Sequence, residues 1–116
     1  MKQLLERLAE LAPRECIFNS TNQGWFFPIL DKRGGQAIVH PEQPHFEAVI
    51  FYAVLMCCEA RGWMFMRDWD LSPRYGPYWC IRDEALTFRK IEWEEDFSST
   101  SAAALTAYIK ALEASQ

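Results

Sequence analysis

Apolar residues recur along this chain in helical and strand rhythms, and at one place with no rhythm at all. From position 48 to 58 the sequence reads Ala-Val-Ile-Phe-Tyr-Ala-Val-Leu-Met-Cys-Cys, without a charge, a Gly or a Pro. Wound as a helix, Phe46, Val49, Ile50, Ala53, Val54 and Cys57 form one stripe. Phe51, Tyr52, Leu55 and Met56 form the opposite one. A helix that is apolar all round must be covered on more than one face, or take a partner. The run is too short to cross a bilayer, which needs about 20 residues. The pattern predicts a central helix over 45–61, with Pro41 and Pro44 breaking the chain before it and Gly62 ending it.

The flanking segments are simpler. Leu4, Leu8 and Leu11 line one side of a helix expected over 2–12, with Pro13 as its stop. A short strand is expected at 15–18, a polar turn at 19–24, and an aromatic strand at 25–30. Pro28 in that strand has no amide hydrogen, which points to a sheet edge or a bulge. Residues 31–35, with Gly34-Gly35, read as a hairpin turn before a return strand at 36–40. From Trp63 the period becomes two: Trp63, Phe65, Arg67 and Trp69 point one way, Met64, Met66, Asp68 and Asp70 the other. A loop over 71–77 and a short strand at 78–82 come next. A strand over 84–94 changes phase between Leu86, Phe88 and Ile91, Trp93, so a β-bulge is expected near Arg89-Lys90. The last helix is expected over 101–114, with Ala102, Leu105, Ile109 and Leu112 inward and N-caps available in the Ser/Thr run before it.

The expected order is therefore α-β-β-β-α-β-β-β-α in one α+β domain spanning 1–116. Short connections favour antiparallel pairing, so three helices should pack on a mainly antiparallel sheet in a sandwich-like arrangement. The 116 residues suffice for one core. A net charge of −4 argues against non-specific nucleic-acid binding. Cys16, Cys57, Cys58 and Cys80 contain no C-x-x-C and read as buried thiols of a cytoplasmic protein. The charged N-terminal stretch does not read as a signal peptide.

Nothing in the sequence calls for a cofactor or a metal, and no catalytic residue is assigned. His40 and His45 flank Pro41-Glu42-Gln43-Pro44. With Glu47, or with a cysteine, they offer one route to a small hydrolase or ligand-binding enzyme, though their spacing matches no standard site. The acidic run Glu92-Trp93-Glu94-Glu95-Asp96 reads as a solvated strand end, or as a surface for a basic partner. The segment 67–79 combines Trp, Tyr and Arg with Pro and Gly, the residue types that dominate binding hot spots. Its candidate partner-binding residues are Arg67, Trp69, Arg74, Tyr75, Tyr78 and Trp79. The alternative is that these aromatics fold back over the sheet edge.

Phe46 opening an Ala-rich apolar helix, Gly62-Trp63 leading into a strand, and Ala102-Ala103-Ala104-Leu105 through Ala111-Leu112 resemble the phage ABA sandwich domain. The resemblance covers about the C-terminal two-thirds of the chain and leaves the hairpin at 25–39 and the loop at 67–79 unmatched. It implies a small phage-encoded accessory protein acting in the host cytoplasm and transfers no catalytic residue. The leading expectation is thus a non-enzymatic protein that binds, and as an inhibitor blocks, a host or defence protein. A structural homodimer through the second face of the 45–61 helix is a further alternative.

Overall fold

The computed structural model describes residues 1–32, 38–70, 76–83, 89–93 and 97–116. Among them the order is α1 (Lys2–Leu11), β1 (Ile17–Asn19), β2 (Gly24–Phe26), α2 (Pro28–Asp31), β3 (Ile38–Val39), α3 (Phe46–Ala60), β4 (Met64–Asp70), β5 (Gly76–Arg82), β6 (Arg89–Trp93) and α4 (Thr100–Ser115). The α+β class is as expected, but the strands divide into two antiparallel three-stranded sheets, β1-β2-β3 and β4-β5-β6. In the second, Phe65 pairs with Ile81 and Arg67 with Trp79, while Tyr78 faces Trp93 across the β5–β6 ladder.

The expected strand at 25–30 is corrected. It stops at Phe26, and Pro28 opens the one-turn helix α2. Proline suits the first helical position, where a missing N–H leaves no acceptor unsatisfied and φ is already helical. Phe27 before it is held extended, as a pre-proline residue prefers. Phe27 and Leu30 are both buried; three positions apart, they share one face of a helical turn, whereas a strand would send them to opposite faces. The pairing of β6 with β5 runs in continuous register from Arg89 to Trp93, and the part of the expected 84–94 strand before Arg89, where the other side of the phase change falls, lies outside the described residues. Leu86, Phe88, the glycines of the 31–35 turn and most of the acidic run fall outside the described residues.

The ends of α3 and α4 are set by their sequence. The Gly62 N–H bonds to the Glu59 carbonyl (3.1 Å) and the Trp63 N–H to that of Cys58 (2.9 Å). This paired closure requires the left-handed backbone that Gly62 adopts at φ 74°. At the start of α4, the extended Ser99 caps the helix by accepting the Ala102 N–H at 3.1 Å.

Helices α3 and α4 pack against each other and form the middle layer. Sheet β4-β5-β6 lies on one side, while α1, α2 and the first sheet lie on the other. That position explains the absence of a polar stripe on α3. Phe46, Ile50, Ala53, Val54, Met56, Cys57 and Cys58 are buried, and Phe51 packs on Phe65 and Trp79. The covering therefore comes from within the chain, and the large apolar side chain of α3 left to solvent is Tyr52, 45% exposed. Helix α4 is buried on more sides than its leucine spacing predicts: Ala103, Ala104, Ala107, Tyr108 and Ala111 join Leu105, Ile109 and Leu112 in the core. Its alanines let α1, α3, β5 and β6 all approach closely. No helix among the described residues is long and apolar enough to cross a membrane.

Candidate functional site

The residues expected to bind a partner separate into distinct environments. Arg67 lies on β4 with its guanidinium 5.6 Å from the centre of the Trp79 ring. Trp79 is corrected from a surface contact to a core residue. It is 4% exposed, stacked nearly parallel on Phe65 at 5.0 Å and tilted against Phe51 at the same distance. Tyr78 is half-buried on the opposite face of β5. Trp69 pairs with Pro77 near the end of the hairpin, while Arg74 and Tyr75 fall outside the described residues.

Where β4 and β5 meet the first turns of α3 and α4, an open depression of about 520 Å³ is lined by Ala48, Phe51, Arg67, Trp79, Thr100 and Ser101. The rim is fixed from beneath: Ser101 Oγ donates to the Glu47 carbonyl at 2.9 Å, joining the two helix starts. Trp79 Nε1 is buried and has no hydrogen-bond partner among the described residues. A buried N–H without an acceptor is costly. Beside this site Glu92 is buried under α4 and forms an ion pair with Lys110.

The histidines do not come together as a catalytic pair. His45 is the exposed residue preceding α3. His40 lines a separate cleft of about 450 Å³ with Met1, Lys2, Leu5, Phe18, Asn22, Gln23, Trp25, Pro41, Glu42 and Phe46. None of the cysteines lines that cleft, and all of them are buried. Burial, reinforced by the negative charge of Glu15, pushes the Cys16 and Cys57 thiols up to about 12, and burial likewise raises Cys58. Thiols held protonated in this way are poor nucleophiles. Among the described residues no cluster of His, Cys, Asp and Glu is arranged to hold a metal ion.

Sequence spacing offered no hint of a third polar group. Tyr108 Oη donates to the Glu15 carboxylate at 2.5 Å and accepts from Arg61 Nε at 2.9 Å. Arg61 also reaches Glu15 through its terminal nitrogen at 2.9 Å, and its guanidinium lies 5.1 Å from the centre of the Trp63 ring. Every member of the triad is bonded to the other two, so the cluster fastens the end of α3 to α4 and to the segment after α1. Its residues are 46 to 93 positions apart, beyond the reach of any local pattern. Comparison of the chain with protein-family models, with curated proteins and with solved structures finds no match.

Proposed function

We propose that this chain is a non-enzymatic accessory protein of phage type that binds, and thereby inhibits, a host or defence protein. The observation that carries the reading is the open depression floored by Trp79 and rimmed by Arg67. It combines an aromatic floor of Phe51 and Trp79 with the Arg67 guanidinium, elements of a hot spot for a partner's acidic side chain. Its walls are helix starts and a paired hairpin, so little ordering is required on binding. The raised thiols count against the hydrolase alternative built on a cysteine. The likeness of the Ala-rich final helix and the Gly62-Trp63 junction to the phage ABA sandwich domain supports the phage setting.

The test is affinity capture from host lysate with identification of the bound protein, followed by reconstitution with that protein in purified form. Arg67→Ala and Trp79→Phe should each weaken the reconstituted complex about tenfold or more, while Arg67→Ala keeps a single cooperative thermal melt. A complex indifferent to both substitutions places recognition elsewhere on the molecule.

A further inference from the structure

The cleft around His40 lies apart from the Arg67–Trp79 depression and is built from different elements: α1, the β1–β2 turn and the segment 40–46. Both of its loop walls are tied down by short-range hydrogen bonds. Asn19 Oδ1 accepts the Thr21 N–H at 3.0 Å, Asn22 Oδ1 accepts the Gly24 N–H at 3.0 Å, and Gln23 Nε2 donates to the Ser20 carbonyl at 2.8 Å. Across the cleft, the His40 N–H donates to Gln43 Oε1 at 3.1 Å, and the Gln43 N–H returns to the His40 carbonyl at 3.0 Å. The His40 ring is set directly against Gly24. A Cβ added there would lie 2.9 Å from His40 Cε1 and 3.1 Å from Nδ1, so only glycine leaves the ring where it is.

The geometry points to a ligand site in this cleft for a planar nitrogen heterocycle of the nucleobase type. The volume of about 450 Å³ lies within the range of small-molecule sites. Leu5, Trp25, Phe46 and Pro41 supply apolar walls, with the half-exposed Phe18 ring tilted against Trp25 at 4.9 Å. The polar complement chooses the ligand class. Each of the two primary amides commits one end to the backbone. Asn22 thus retains its NH₂ as a donor and Gln23 its carbonyl as an acceptor, on adjacent residues that both line the cleft. A neighbouring donor and acceptor match the lactam or amidine edge of a base, and the His40 ring lines the cleft beside them.

Charge in the lining is mixed: Lys2 and the Met1 amino group stand with Glu42, and Lys2 lies 3.9 Å from Glu6, so the flat apolar walls and the paired amides select the ligand and charge does not.

The test is a titration of ¹⁵N-labelled full chain with adenosine, guanosine, cytidine and uridine, each to about 5 mM, well above the weak-binding range. At least one should shift the amides of Leu5, Asn22, Gln23, His40 and Glu42 in a saturable manner, and its 5′-monophosphate should shift the same amides. Asn22→Asp keeps the acceptor for the Gly24 N–H but removes the donor, and should weaken binding about tenfold. Gly24→Ala should do the same by displacing His40. If Gly24→Ala fails to fold, Asn22→Asp and Phe18→Ala decide the matter. The proposal is overturned if no nucleoside shifts these amides, if the variants bind as the parent does, or if benzoate or laurate occupies the cleft while nucleosides do not.

Discussion

Single residues carry the clearest pH consequences. The Cys16 and Cys57 thiols, ordinarily near 9.0, are raised to about 12 by burial, with Glu15 adding to the effect. Above pH 9.0 the unfolded chain releases thiol protons that the folded chain keeps. The folded state then binds more protons, and stability falls as pH rises until the folded thiols themselves ionise. Each thiol removes about 1.4 kcal/mol per pH unit within that window. Tyr108, raised by burial and by the neighbouring Cys57 and Glu15, adds a loss of the same sign above its ordinary 10.0. Urea midpoints should therefore be flat up to about pH 9 and decline beyond it, with a shallower decline in a Cys16→Ala, Cys57→Ala variant. A midpoint that holds through about pH 10.5 would contradict the burial of these groups. In the same cluster, Tyr108→Phe deletes both the donor to Glu15 and the acceptor for Arg61, and should cost about 1–3 kcal/mol in a urea melt at neutral pH.

Among the elements, legibility in the sequence depended on length. Helix α3 was readable nearly to the residue, because fifteen positions of apolar pattern, two preceding prolines and Gly62 all point to the same boundaries. Helix α2 was not, because Trp25 to Leu30 is too short for a period of two to be told from a single turn. The burial of α4 was underestimated for another reason: alanine contributes little to a hydrophobic stripe, yet it is the residue that permits close approach from several sides. Ala107→Leu should thus be far worse than its chemistry suggests. Extra methylenes with no exposed direction to enter should cost about 1–3 kcal/mol, read as a lowered denaturation midpoint. The cleft lining was equally hidden. Asn19, Asn22 and Gln23 announce a tight turn, but nothing local says that His40 packs against Gly24 on the far side of it.

At the scale of the whole molecule, the expected sandwich is present with its layers redistributed: a helical pair in the middle, with a small sheet on either flank. This layering divides the segment 67–79 between surface and core. Alternation correctly grouped Arg67 with Phe65 on one face of β4. It could not tell that the ring of Trp79 would turn inward onto Phe51 and Phe65 while the guanidinium stayed outside. Pattern alone thus gave Arg67 and Trp79 the same role, where the fold sets one at the surface and the other in the core. Circular dichroism should separate the two. Trp79→Ala should lower the melting midpoint through a loss of about 3–5 kcal/mol, whereas Arg67→Ala, which removes an exposed contact over that ring, should lower it by less.

Helix α4 is the last of the described elements to be synthesised, yet α1, α3, β5 and β6 all close onto it. A nascent chain displaying everything before residue 100 has both sheets' worth of sequence but lacks the α4 face that closes over α3. Native closure must wait until α4 has left the ribosome, and Tyr108 then reaches back 93 positions to Glu15. Until that moment the apolar face of α3 is a target for chaperones, so yield in cells should depend on how long translation pauses ahead of this helix.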